Sequence, residues 1–130
     1  MGDNISGLPQ ALASALGAHQ VLTGPDRLAF YAHDVFTKGA EAICIVRPID
    51  AAGVQTAARL CSDARVAMVP RGGGASYSDG YLIDRPHVLF DLSALQTIDI
   101  DTANACVRVG AGVTWAALKA ALDPLGLRTP

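Results

Sequence analysis

The sequence predicts an α/β domain of mixed α+β character. Its centre is a small parallel sheet built on a β–α–β unit, flanked by helices and followed by a β-hairpin and a terminal helix. Three observations carry this prediction. Runs of strand length occupy residues 42–46, 66–69 and 88–91, apolar except for the closing Asp91. Between the first two, Val54, Ala57, Ala58 and Cys61 recur at the spacing of one helix face. Late in the chain, Asp101-Thr102-Ala103-Asn104 joins two extended pieces, residues 97–100 and 105–109, as a hairpin turn does.

Taken in order, Leu8, Leu12 and Leu16 fall at helical spacing, and Gly17 suits the position after a helix end. Val21, Leu22 and Thr23 read as a short extended piece. Gly24-Pro25 is a turn signal, and Asp26 is expected to cap one helical turn running to Phe30. The run at 42–46 is stopped by Arg47-Pro48, and Asp50 is a good N-cap for the helix that follows. A strand, a helix and a strand within so short a stretch predict parallel, neighbouring strands. Pro70 is expected to end the second strand, because it has no N–H to give a ladder. Thr114 is expected to cap a last helix with Trp115, Leu118 and Leu122 on one face.

Composition narrows the function classes. At 130 residues the chain is one domain by length. Apolar residues make up 51% and charged residues 17%, with a net charge of −2 and no basic block. That argues against nucleic acid or an anionic membrane as partner. No apolar run approaches the roughly 20 residues of a membrane span. Met1-Gly2-Asp3-Asn4 lacks the basic and apolar segments of a secretory signal. Cys44, Cys61 and Cys106 are odd in number and lack metal-type spacing, so they read as buried free thiols in a reducing, cytoplasmic compartment. His19, His33 and His87 are far apart and have no partners at ligand spacing, so no metal site is expected.

The chemistry concentrates in one stretch. After the run at 66–69 come Pro70, Arg71, Gly72, Gly73, Gly74, Ala75 and Ser76. Glycines reach φ > 0 cheaply and let another group approach the backbone. Successive N–H groups in such a turn form a nest that binds phosphate, to which Arg71 adds charge and Ser76 a hydroxyl. The glycines alone fit a tight turn equally well. A dinucleotide G-x-G-x-x-G is ruled out, because positions 77 and 115 are Tyr77 and Trp115, and the G-x-x-x-x-G-K-[ST] loop is absent. Neighbouring His33 and Asp34 do not face each other, so Asp34 is read as satisfying loop backbone and His33 as a surface residue. Tyr77 and Tyr81 fit ring contact with a ligand and internal packing alike.

An ordered set of segments decides between turn and nest. The stretch Pro70-Arg71-Gly72-Gly73-Gly74-Ala75-Ser76 resembles the pyrophosphate loop of FAD-linked oxidases and dehydrogenases of the vanillyl-alcohol-oxidase type. That family has a PCMH-type FAD-binding domain and includes glycolate oxidase and D-lactate dehydrogenase flavoproteins. Tyr31 and Asp34, then Ile45-Val46-Arg47-Pro48, then Asp91-Leu92-Ser93, then Val109-Gly110-Ala111-Gly112-Val113-Thr114-Trp115 follow the family's order.

The resemblance implies a non-covalent FAD site. Gly72, Gly73, Gly74 and Ala75 would give N–H groups to the pyrophosphate, with Arg71 beside them and Ser76 donating its hydroxyl. Asp91, Leu92, Gly110 and Gly112 would lie near the cofactor. Members that attach FAD through this loop carry His where this chain has Ala75. The resemblance further implies that residues 1–130 are the N-terminal portion of an FAD-binding domain, without the second subdomain or the substrate domain. The parent would be a flavin-dependent oxidoreductase acting on an alcohol or 2-hydroxy acid. This chain alone is expected to be inactive and to self-associate through an exposed apolar face, and no catalytic residue is assigned to it. The alternative is a truncated or stand-alone nucleotide-binding or structural module without catalysis.

Overall fold

The computed structural model describes residues 3–129; Met1, Gly2 and Pro130, named above, lie outside the described residues. The elements are α1 (Asp3–Ser6), α2 (Leu8–Leu16), a 3-10 turn (Ala18–Gln20), β1 (Val21–Leu22), α3 (Pro25–Tyr31), β2 (Cys44–Val46), α4 (Ala51–Asp63) and β3 (Ala67–Arg71). They continue with β4 (His87–Asp91), β5 (Ile98–Asp101), β6 (Cys106–Val109), α5 (Trp115–Leu122) and a 3-10 turn (Asp123–Leu125).

The helix punctuation follows the sequence. The Asp50 carboxylate accepts from the Gly53 N–H at 2.7 Å, and the Thr114 hydroxyl from the Ala117 N–H at 3.2 Å. Gly17 closes α2 with φ +98°. One cap differs: Gly24, not Asp26, precedes α3, because Pro25 with its fixed φ takes the first helical position and moves Asp26 inside the first turn.

The main sheet has the order β1-β2-β4-β3. Strands β2, β4 and β3 are parallel, and β1 pairs antiparallel with β2. The expectation that β2 and β3 are neighbours is therefore corrected: β4 lies between them. All five residues of β4 are buried, so both its faces need cover, and only a central position supplies it. Strand β3 exposes Met68 and carries Pro70, which suits an edge. Pro70 does not end the strand; it pairs with Phe90 inside it. The Leu92 N–H bonds the Arg71 carbonyl, so by alternation the nitrogen of Pro70 faces the open edge, where no donor is needed.

Side chains alternate about this sheet. Cys44, Val46, Val88 and Phe90 pack with Leu8 and Leu12 of α2 and Ala57 and Cys61 of α4 on one face. Ile45 and Leu89 pack with Tyr31 on the other, with Leu28 of α3 against them. The hairpin β5–β6 forms a separate two-stranded sheet. Asp101 accepts from the Asn104 N–H at 3.0 Å and Ala105 takes φ +52° at its turn. Cys106, expected to be buried, is exposed on β6. On α5, Leu118 and Leu122 are buried, and Trp115, on the same face in the first turn, is 77% exposed. No helix among the described residues is long and apolar enough to cross a membrane.

Candidate functional site

The carboxyl ends of three parallel strands bring chemistry together. Strand β2 leads into Arg47, β4 ends at Asp91 and β3 ends at Arg71, with Arg71 and Asp91 side by side in register. Asp91 is only 2% exposed, and each carboxylate oxygen is occupied. Oδ2 accepts from the Tyr31 hydroxyl at 2.5 Å and lies 3.0 Å from Nε of Arg47; Oδ1 accepts from the Ser93 N–H at 3.0 Å. Burial alone would raise this carboxyl's pKa, but the hydrogen bonds from Ser93 and Tyr31 and the Arg47 charge outweigh it and hold it below its ordinary value.

Arg71 opens the glycine loop. Its guanidinium carbon lies 4.7 Å from the ring centre of Tyr31 and 5.3 Å from that of Tyr81. Gly74 has φ +76°, the left-handed region, and a Cβ there would fall 2.2 Å from Nη2 of Arg71. The Tyr81 hydroxyl stands 2.8 Å from the Gly74 carbonyl and 3.0 Å from that of His33. Gly73 is different. A Cβ there would meet nothing within 4 Å, and its φ is not in the left-handed region, so its openness and not its backbone marks it.

The loop's donors are free. Among the described residues, none of the N–H groups of Gly72, Gly73, Gly74, Ala75 and Ser76 has an acceptor in the chain. Five consecutive donors without partners, at the end of a parallel strand, are what an anion needs. The Ser76 hydroxyl accepts from the Ser78 N–H at 3.3 Å and lies 3.5 Å from the Ser78 hydroxyl, a pair in which either can donate.

Residues 110–112 wall the other side. The Gly110 N–H donates to the Thr97 carbonyl at 2.8 Å and the Gly112 N–H to Leu95 at 2.9 Å. A Cβ at Gly110 would lie 2.2 Å from the Leu95 carbonyl oxygen, and one at Gly112 would lie 2.3 Å from that of Leu92. Both glycines are there for close packing, and this packing sets the Ala111 carbonyl against Gly72. It also brings Val113, Thr114 and Trp115 to the cleft of 480 Å³ that faces the loop.

Thus Arg71, Gly72, Gly73, Gly74, Ala75 and Ser76 line one cleft, with residues 113–115 opposite. Asp91 and Leu92 lie beneath it: Asp91 is locked to Tyr31 and Arg47, and Leu92 touches Gly112. Asp34 accepts from the N–H groups of Phe36 and Thr37 at 2.9 and 2.8 Å, the backbone role read from sequence, and His33 is exposed. Tyr81 is buried, whereas Tyr77 is exposed and meets the Phe36 ring at 5.7 Å. The roles of Tyr31 and Arg47 as partners of Asp91 were not read from the sequence. The one signal was an Asp at the end of a wholly apolar strand, which needs a partner if buried.

Comparison with known proteins gives this geometry its context. The FAD binding domain family model matches residues 42–130. Comparison with the curated proteins finds no match. Among solved structures, p-cresol methylhydroxylase with substrate bound is similar, with a TM-score of 0.81 and 19% identity over 98% of this chain and 26% of that one. 4-Ethylphenol oxidase from Gulosibacter chungangensis has a TM-score of 0.84 and 19% identity over 97% of this chain and 25% of its own. BBE-like 1 of Physcomitrella patens has a TM-score of 0.72 and 27% identity over 91% and 26%. The chain spans about a quarter of the length of these structures.

Proposed function

The chain belongs to the FAD binding domain family, and from that premise we propose that its glycine loop holds the pyrophosphate of FAD. The observation that carries this reading is the run of five N–H groups, residues 72–76, without an acceptor among the described residues. The loop also has room: a Cβ added at Gly73 would meet nothing within 4 Å. Gly72, Gly73, Gly74 and Ala75 donate their N–H groups, Ser76 its hydroxyl, and Arg71 contributes positive charge from beside the loop. Asp91 and Leu92 lie next to Arg71 at the strand ends, near the cofactor without lining the cleft, while Gly110 and Gly112 bring residues 113–115 to it. The loop offers Ala75 where an attaching residue would stand, so FAD is held without a covalent bond from this loop.

We propose further that this chain is the first part of an FAD-binding domain in a longer flavin-dependent oxidoreductase, located in the cytoplasm. Its span of about a quarter of the similar structures supports this. When bound, the flavin supplies hydride transfer from an alcohol or 2-hydroxy acid and passes the electrons on to an acceptor. That substrate class rests on the sequence resemblance to glycolate and D-lactate flavoproteins. A cradle for the pyrophosphate contacts only the middle of FAD, so the chain alone binds it weakly or not at all. Exposed Phe30, Phe36, Tyr77 and Trp115 mark the apolar surface through which it would self-associate. The test is the flavin absorbance of the purified protein that carries this domain. A flavin band that disappears on pyrophosphate-loop substitution supports the reading; a colourless wild-type protein that stays colourless on incubation with FAD refutes it.

A further inference from the structure

We infer that Arg71 is the positioning residue of the glycine loop: packed against aromatic rings behind Gly74, it holds the loop's N–H groups open, with its Nε–Nη2 edge turned to the loop backbone and not to the phosphate. This rests on the reading of the loop as the pyrophosphate holder. Three observations meet on one side chain. Its guanidinium carbon sits 4.7 Å, 5.3 Å and 6.0 Å from the ring centres of Tyr31, Tyr81 and Phe30. A Cβ at Gly74 would fall 2.2 Å from its Nη2 and 2.9 Å from its Nε, so that edge of the guanidinium fills the space a side chain would take. Its Nε is buried and has no hydrogen-bond partner among the described residues.

A guanidinium that binds phosphate presents a fork of donors to it. Here the Nε–Nη2 edge of the fork is turned into the protein, against the backbone of the loop. What the stack supplies instead is rigidity and a charge behind the donors. The rings are themselves anchored. Tyr31 donates to Asp91 at 2.5 Å, and the Tyr81 hydroxyl lies 2.8 Å from the Gly74 carbonyl. A continuous chain of contacts therefore runs from the buried carboxylate of Asp91 through Tyr31 and Arg71 to Gly74. Lysine has the same charge but neither the flat face nor the planar fork, so it cannot replace Arg71 in the stack.

The test compares 15N-labelled wild-type chain with Arg71→Lys by NMR, first without ligand and then with FAD. In the wild type the Arg71 Nε–H proton is expected well upfield of its ordinary position, because Tyr31 and Tyr81 shield it. Without ligand, Arg71→Lys is expected to move the amide signals of residues 72–76 toward disordered positions while those of α2 and α4 stay in place. With FAD, it is expected to bind about tenfold more weakly, the loss of one stacked cation. Unchanged loop amides and unchanged FAD affinity in Arg71→Lys would overturn the inference, since charge alone would then suffice. An unshifted Nε–H in the wild type would overturn it even if the variant failed to fold. If FAD moves no wild-type signal, the pyrophosphate reading passes to the flavin absorbance of the longer protein, and the ligand-free comparison still decides the role of Arg71.

Discussion

The Tyr31 hydroxyl donates to Oδ2 of Asp91 at 2.5 Å across 60 residues of sequence, and so ties α3 to the end of β4 beneath the glycine loop. Burial raises the Tyr31 pKa and the bond to Asp91 raises it further, so the phenol remains a donor at neutral pH. Tyr31→Phe keeps the ring under Arg71 and removes only this bond. The expected loss of stability is about 1–2 kcal/mol, the cost of leaving a buried acceptor one partner short. Urea unfolding reads it directly. An unchanged midpoint would mean that Arg47 and Ser93 satisfy the carboxylate without Tyr31.

Asp91 makes stability depend on acid. Its folded pKa is depressed, so its contribution is complete above the ordinary carboxylate range, about pH 4. It is lost as pH falls through the lower folded value. Asp91→Asn is expected to lose about 2–4 kcal/mol at neutral pH, because it leaves Arg47 and Tyr31 without their anion. Its stability should also vary less between neutral pH and acid than that of the wild type. Parallel pH curves for the two proteins would show that another group is responsible.

The thiols divide by burial. Cys44 is pushed up to about 12 and Cys61 to about 11, both by burial first, while Cys106 is exposed on the hairpin. A thiol reagent at neutral pH should therefore label Cys106 alone in the native chain and all three cysteines after unfolding. Fast labelling of Cys44 or Cys61 under native conditions would contradict the packing of the sheet against α4.

Much of this fold is local enough to read. The helix at Ala51–Asp63 announces itself through the Asp50 cap and the apolar period ending at Cys61, and both operate within a few residues. Strand order does not. It depends on which strand has both faces covered and which carries a proline on its free side, and these are facts about neighbours distant in sequence. Three glycines after a strand fit a tight turn as well as a nest, and the loop was legible only through the ordered segments around it. The network of Tyr31, Arg47 and Asp91 was not, since no spacing rule links residues so far apart. Gly110 and Gly112 show the same limit: their need for close approach comes from the carbonyls of Leu95 and Leu92, which only the folded chain places there. Trp115 keeps the predicted helix face but is exposed, because it lies in the first turn of α5 at the cleft.

Two neighbouring glycines should fail differently. At Gly73 an added Cβ meets nothing within 4 Å and the backbone is not left-handed, so Gly73→Val in the longer protein should keep the fold and lose FAD. At Gly74 even a methyl group collides with Arg71 and takes φ +76°. Gly74→Ala should therefore disturb the loop itself, at a cost of about 1–3 kcal/mol. Circular dichroism with thermal unfolding separates the two. Normal FAD content in Gly73→Val would reduce the loop to a turn.

The central claim is that the free N–H groups of residues 72–76 hold the pyrophosphate. Titrating FAD, and separately riboflavin, into the 15N-labelled chain tests it most directly, because riboflavin has the same ring system and no phosphate. FAD should shift the amide signals of Gly72, Gly73, Gly74, Ala75 and Ser76, and riboflavin should leave them in place. Equal shifts from both compounds, or FAD-induced shifts confined to other parts of the chain, would contradict it.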